Sequence, residues 1–566
     1  MTASIMEQLN NNMIQKCPIA IVGGGPVGLL LSLFLDRHDI PCVVFNNEVA
    51  VRQHPKGSTH NARTMEHYRR LGIAGDVRQL GLPQDHPTDV VYFTRYNGWE
   101  LGRLPNLSTQ DALARRNAAP ENDQIVEPLH RANQMYVEQL IFERVQSRPN
   151  ITLRFGWQVE SFIQDDDGVT LQTKSLISGQ HENWRSLYLA GCDGGRSTVR
   201  KLLNIHYEGH PNLRQPFFGG RMISSYVRAP TLYRDVLGQK RGFQYWAVNP
   251  ELRIAMVALN GRDEFLIWTP SDTNEIAPET VAALFRRCVG APIEVEVLAS
   301  HSWTAGVALY AERFGHERVQ LAGDAAHLFT PTGGFGMNTG IDDAANLSWK
   351  LAALVQGWGG SSLLESYEAE RKPIAIRNTS AARALARSVG DVEIPAALED
   401  DSVAGEVTRH NVGATLATFG EEFASIGVQL GARYDGSAII IPNGTSPSDN
   451  MTSYTPSGVP GGRAPHIWLD ETRIIGSSLF DHFGIGFTLL QLGPEAADVT
   501  GFIKAAAGKA MPLKVFHVPH ASAYRLYGCK LALIRPDQHI AWCGDVAPAN
   551  ALNILNIVTG CQKNAA

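Results

Sequence analysis

Three stretches of this chain place bare backbone or an acid at the end of an apolar run. In "LAGDAAHLFTPTGGFGMNTG", residues 321–340, Asp324 lies among small residues and is followed by Pro331, Gly333, Gly334 and Gly336. In "YLAGCDGGRSTVRKLLNI", residues 188–205, Asp193 and Gly194 follow a short apolar run. In "IAIVGGGPVGLLLSLFL", from residue 19, Gly23, Gly25 and Gly28 satisfy G-x-G-x-x-G. Such glycines allow a tight turn, close approach of backbone to a pyrophosphate, and close helix–strand packing. An acid at a strand end can hydrogen-bond a polyol. A proline lacks an N–H that would compete with a planar ring. Exposed N–H groups at a helix start favour negative charge. The ligand so described carries phosphates, a polyol arm and a ring that becomes anionic, and reduced flavin meets all of these requirements.

The elements that must position these groups are legible around them. Ile19–Val22 reads as a strand, the residues after Gly25 as a helix, and "PCVVFN" as the next strand of a βαβ unit. That strand ends in Asn46, where an acid would ordinarily hold the ribose hydroxyls; Asn46 can still accept a hydrogen bond. The Asp193-Gly194 stretch has a second reading as a common turn, with Ser197 capping the following helix. Val319–Ala322 reads as a strand and a long amphipathic helix is expected from about Asn338.

In this order and at these separations, the three stretches resemble the class A flavoprotein aromatic hydroxylases, of the phenol hydroxylase and para-hydroxybenzoate hydroxylase type. The resemblance is strong over roughly the first two-thirds of the chain, and three ordered motifs are far more specific than one. It implies a Rossmann-like FAD-binding domain with an inserted, mainly β substrate domain and a thioredoxin-like C-terminal domain, an α/β architecture. The implied FAD contacts are Gly23, Gly25, Pro26, Val27, Gly28, Asn46, Arg63, Gln134, Asp193, Gly194, Asp324, Pro331, Gly334, Gly336, Met337 and Asn338. NAD(P)H is the implied co-substrate, meeting a flavin that swings out rather than a Rossmann unit of its own. O2 and a small aromatic substrate complete the reaction, in which a flavin C4a-hydroperoxide hydroxylates a phenol. The same motifs are compatible with a polyketide, quinone or antibiotic scaffold, because they bind flavin and not substrate. A non-enzymatic interaction scaffold is the remaining alternative, and the intact Asp193 and Asp324 motifs argue against it.

The implied organisation places the FAD-binding domain in residues 1–80, 126–210 and 303–395. Segments 81–125 and 211–302 form the substrate domain, and 396–566 the linker and C-terminal domain. Within the substrate domain Tyr245, Trp246 and Trp268 are candidates to line the pocket or, alternatively, to fill the sheet core. The family base aligns with Ser58, which cannot serve, so His60 is the nearest titratable candidate; a loop position facing solvent is its other reading. Pro331 and Tyr245 complete the expected catalytic set, and His327 is expected to pack beneath the cofactor loop. Cys529 and Cys543 cannot form a CxxC pair, so the C-terminal domain reads as structural, with a homodimer as a candidate assembly.

Composition narrows the partners further. The 566 residues carry a formal net charge of −6, which gives no reason to expect nucleic acid. Seven scattered cysteines suit a reducing compartment and no metal site is expected. The run "GLLLSLFL" is too short to span a bilayer and the first residues lack an apolar signal core, so a cytoplasmic protein without integral membrane association is expected.

Overall fold

The computed structural model describes residues 14–211, 220–390, 392–422 and 425–562. Residues 212–219 of the expected substrate-domain segment lie outside the described residues.

A six-stranded sheet is ordered Gly315–His316, Val319–Leu321, Tyr188–Gly191, Ile19–Val22, Cys42–Asn46, Ile151–Phe155. All neighbours are parallel except the first pair. The strands that lead into the three motifs are therefore adjacent, and their carboxyl ends share one edge. Ligands bind at that edge in open α/β sheets. The helices Pro26–Arg37 and Phe335–Val355 pack together over it. The latter begins three residues earlier than the sequence suggests. Gly333 and Gly334, with φ of 73° and 65°, turn the chain sharply enough for the helix to start at Phe335.

A second sheet of seven strands runs in the order Glu296–Ala305, Gly220–Arg228, Glu264–Pro270, Arg253–Ala258, Gln244–Val248, Val90–Phe93, Glu100–Leu104. Strands from two distant stretches of chain thus share one sheet. Alternation divides its side chains between two faces. One face carries Val91, Phe93, Tyr245, Ile254, Met256, Phe265 and Ile267 into a core shared with the helix Pro278–Val289. The other carries Gln244, Val257 and Trp268 towards the nucleotide-binding sheet. Tyr245 therefore points away from the inter-domain space, and its hydroxyl accepts from the Gly242 N–H at 2.7 Å. Trp246 lies on the opposite face to Tyr245, but it stacks on Tyr92 beneath Leu398, Val412 and Leu416.

The C-terminal region holds a four-stranded sheet, ordered Leu513–Val518, Phe487–Leu492, Leu531–Ile534, Ile540–Gly544. A buried network of ion pairs joins it to the first sheet's helices. Arg463 donates to Glu66 through two nitrogens, and Arg63 bonds Glu66 at 3.0 Å and Asp342 at 3.3 Å. Arg535 donates to Glu370 and Asp537, and Lys350 donates to Glu370 at 2.7 Å. Arg371 bridges Asp342 and Asp343. Among the described residues no helix is long and apolar enough to cross a membrane.

Removing one partner of such a pair leaves an uncompensated buried charge, at a cost of about 3–5 kcal/mol. Arg463→Ala is accordingly expected to lower the thermal midpoint by several degrees, with Glu66 left buried beside Arg63 alone. An unchanged midpoint by calorimetry would show that the junction does not stabilise the fold.

Candidate cofactor and substrate cavity

Between the carboxyl edge of the first sheet and the open face of the second lies a cavity of about 1630 Å³. Its first wall contains Gly23, Gly25, Pro26, Val27, Asn46, Asp193, Gly194 and Asp324, and its floor Pro331 to Met337. Gln134 stands beside them. The opposite wall contains Phe243, Gln244, Val257, Leu266 and Trp268, with Ser224, Tyr226 and His301 towards the sheet edge.

The nucleotide turn is built for an occupant. A Cβ on Gly23 would lie 2.2 Å from the Cys192 carbonyl oxygen, and one on Gly28 would lie 2.0 Å from the Gly23 oxygen. Those glycines serve close backbone packing. A Cβ on Gly25 or Gly194 would meet nothing within 4 Å, so these backbones border open space. The Gly24 N–H donates to Asn46 Oδ1 at 3.3 Å, which ties the turn to the end of the next strand. Glu48, two residues on, accepts two bonds from Arg52 at 3.0 and 2.9 Å, and both residues line the cavity. An acid is thus present near the expected ribose position, though not at Asn46.

Asp193 accepts from Ser197 Oγ and from the Thr198 and Val199 N–H groups. Its carboxyl is raised by burial, which these bonds oppose. Ser197 accepts from the Arg200 N–H and so caps the short helix Thr198–Leu202. The capping reading and the cavity position both hold for this turn. Asp324 is exposed and lines the cavity, while its carbonyl accepts from the Tyr207 hydroxyl at 2.6 Å. Gln134 donates to Glu138, whose carboxyl burial also raises.

Several expected site residues lie elsewhere. Arg63 is turned into the C-terminal junction, bonding Gln538 Oε1 and the Asp537 carbonyl, because four acceptors surround it there. Asn338 is buried and staples the Thr59–Asn61 segment to the glycine loop, accepting from the Asn61 N–H at 3.0 Å. His60 is fully buried and does not line the cavity. Its ring nitrogens meet the Tyr68 hydroxyl at 3.0 Å and the Ala132 carbonyl at 3.1 Å. Burial holds its pKa down to about 3. Neither the base role nor the solvent-loop reading fits that position, because a short strand pairing places His60 against His130 in the interior. Tyr245, on the far side of the sheet, cannot touch a ligand in the cavity. His327 lies under the loop, 2.6 Å from Asp343 Oδ2. Ser58 lines the cavity and its hydroxyl accepts from Asn133.

Among the titratable cavity residues that the sequence did not single out is His54. It lines the cavity from the segment before Ser58, with Nε2 3.0 Å from Ser224 Oγ. Nothing local in "VRQHPKGS" marks it; only the approach of the second sheet does. Among the described residues no cluster of His, Cys, Asp or Glu is arranged to hold a metal.

Residues 16–382 match the model of an FAD-binding domain, and residues 457–557 that of an aromatic-ring hydroxylase C-terminal domain. An FAD-dependent monooxygenase, apdD, of Emericella nidulans is 32% identical over 93% of this chain and 87% of its own. A polyketide hydroxylase of Streptomyces halstedii, so described provisionally, is 30% identical over 94% of this chain and 93% of its own. RebC with bound 7-carboxy-K252c superposes with a TM-score of 0.87 at 34% identity, covering 97% of this chain and all of that one.

Gly25 has an ordinary φ of −81° and open space beyond it. Gly25→Val is therefore expected to fold with the thermal midpoint of the flavin-free wild type yet retain less than about a tenth of the FAD, read from flavin absorbance. Gly23→Val, at φ 114° and against Cys192, should not fold. Full FAD content in Gly25→Val would contradict the cradle. A second expectation concerns pH. His60 and His67 are held by burial at about 3 and about 4, below the unfolded value of about 6.5. Below that value the unfolded chain binds protons that the native chain refuses, so stability is full above about pH 6.5 and falls towards pH 4. His60→Asn should flatten the fall in thermal midpoint over this window; identical slopes would rule out that contribution.

Proposed function

Because this chain belongs to the class A flavoprotein aromatic hydroxylases, we propose that it hydroxylates a phenolic substrate of more than one fused ring, using NAD(P)H and O2. The observation that carries this reading is the shared cavity: three nucleotide motifs form one wall and an aromatic sheet face forms the other. At about 1630 Å³ it exceeds the 300–1,000 Å³ typical of a pocket for one drug-sized ligand. That volume suits a dinucleotide together with a second, extended aromatic. The names of relatives point the same way, since one is described, provisionally, as a polyketide hydroxylase and RebC was solved with bound 7-carboxy-K252c.

In this reading the turn from Gly23 to Val27 holds the pyrophosphate, and Asp324 accepts from the ribityl hydroxyls. Pro331 and Gly333 to Met337 would hold the flavin ring. FAD, when bound there, takes reducing equivalents from NAD(P)H and delivers one atom of O2 to the substrate ring. The residues of this chain supply the setting. The helix Phe335–Val355 starts at the cavity floor without a side-chain cap, and a helix start favours negative charge. Trp268, Leu266 and Phe243 offer an apolar roof against which a polycycle can lie flat, and Arg131 is placed 4.4 Å over the Phe243 ring. The C-terminal sheet is read as a thioredoxin-like core without a redox pair: Cys529 and Cys543 are both buried and free of disulfide. Its role is then to brace the FAD-binding helices and to offer a surface for a homodimer.

The FAD-loaded enzyme should be given NADH or NADPH and a panel of phenol, naphthols and hydroxyanthraquinones. Oxidation of the nicotinamide should accelerate with the fused-ring phenols, which should gain one oxygen by mass. At least a tenfold higher kcat/KM than for phenol is expected. Nicotinamide oxidation that ignores every phenol, with peroxide as its only product, would refute the reading.

A further inference from the structure

His54, Ser224 and His301 meet where the FAD-binding unit touches the edge of the second sheet. Ser224 and His301 are cross-strand partners on Gly220–Arg228 and Glu296–Ala305. His54 comes from the opposite wall, and its Nε2 reaches Ser224 Oγ at 3.0 Å. The His54 and His301 rings meet edge to face at 4.2 Å and 86°. All three residues line the cavity. His54 Nδ1 is buried and makes no hydrogen bond. That leaves Nδ1 able to carry the ring proton while Nε2 faces Ser224 as the acceptor. The other end of the same segment, Thr59, packs against Gly334 in the glycine loop. Five residues span at most ~17 Å, and both the glycine loop and His54 border the one cavity. Ser58, which lines the same cavity, has no ionisable group to offer.

We propose that Ser224 and His54 together accept the proton of the substrate's phenolic hydroxyl, with His301 a positioning residue for the His54 ring. The proposal rests on the reading of the cavity as phenol-binding. The phenolic O–H bond breaks and its proton passes to Ser224 Oγ, while the Ser224 proton passes to His54 Nε2. The electron pair stays on the phenolate oxygen and activates the ring towards oxygen transfer. After hydroxylation the proton returns along the same path to the product oxygen, so the pair is unchanged by turnover. The alternative bond from Ser224 Oγ to the His301 carbonyl is longer, at 3.4 Å, which favours the orientation towards His54. The titratable neighbours acting on His54 are His301, from the edge strand, and Lys56, on its own segment; with burial, they hold its pKa down to about 4. His54 is therefore neutral from pH 6 to pH 9, and it holds the phenolic proton only while the phenolate beside it carries the compensating charge, each ion favouring the other.

The test uses the FAD-loaded enzyme and the panel phenol that the wild type turns over fastest, with FAD content and thermal midpoint confirming the fold of each variant. Wild-type hydroxylation should be flat from pH 6 to 8.5. In His54→Phe the rate at pH 7 should fall about 100-fold. It should then rise about tenfold per pH unit, because the phenol must ionise unaided. Ser224→Ala should show the same slope with a smaller loss, and serves alone if His54→Phe fails to fold. Without turnover, 4-nitrophenol bound to the wild type should show phenolate absorbance below its solution pKa, and this should vanish in both variants. A flat profile in either folded variant, or unchanged 4-nitrophenol spectra, overturns the assignment while leaving the phenol reading intact. If the wild type hydroxylates none of the panel, the phenol reading falls and the assignment with it.

Discussion

Two neighbouring carboxylates, Asp342 and Asp343, fix this structure around its cavity. They lie on the helix that begins at the glycine loop, and Arg371 binds both. Asp343 also accepts from the Gly323 N–H at 3.1 Å and pairs with His327, so it holds the turn that carries Asp324. Asp342 accepts from Arg63 at 3.3 Å and pairs with His67 at 3.0 Å, which links the same helix to Ala62–Arg70 and onwards to the C-terminal region. Burial acts against both carboxylates, yet their cationic partners hold them below the ordinary carboxylate range. Leaving either unpaired would cost several kcal/mol. The loop that faces the cofactor is therefore held from behind, by groups that never face the cavity.

This arrangement explains why polar residues near the motifs divide into two populations. Those on strand ends and in the glycine turns face the cavity with backbone or short side chains. Those on the adjoining helices, Arg63, Glu66, Asp342 and Arg371, face the C-terminal region and neutralise one another. Arg463 and Arg535 are contributed from beyond residue 460 and complete the network. The C-terminal region thus supplies counter-charges to a network whose other members position the turn that carries Asp324.

Much of this was legible in the sequence, and the pattern of what was not has a physical cause. Gly23, Gly25, Gly28 and Gly194 answer to local backbone demands, and short-range spacing records such demands. The strand alternation around Gln244 to Val248 was also visible, but not which face would meet the cavity; a shift of one residue exchanges the faces. Tyr245 was accordingly placed on the wrong side, while Trp268 does line the cavity. His60 and Asn338 lie close in sequence to cavity residues and yet point inward, because each completes a hydrogen-bond set with chain from elsewhere. His54 shows the reverse. Its place depends on Ser224, 170 residues away, and no local pattern carries that information.

A cavity between two sheets poses a problem of support that packing alone does not solve. Apolar side chains across an open space have no partners to hold them apart, and unbraced walls would collapse together. Here each wall is rigid for its own reason. The roof is a sheet whose far face is packed against Pro278–Val289. The floor is a loop clamped by Asp343. At the sheet edge the walls meet through polar contact rather than apolar packing, between His54 and Ser224. A hydrogen bond there can be exchanged for one to a ligand at little cost, whereas a packed apolar contact would leave a void. This polar bridge between roof and first wall is thus also a contact that an entering hydroxyl group is able to share.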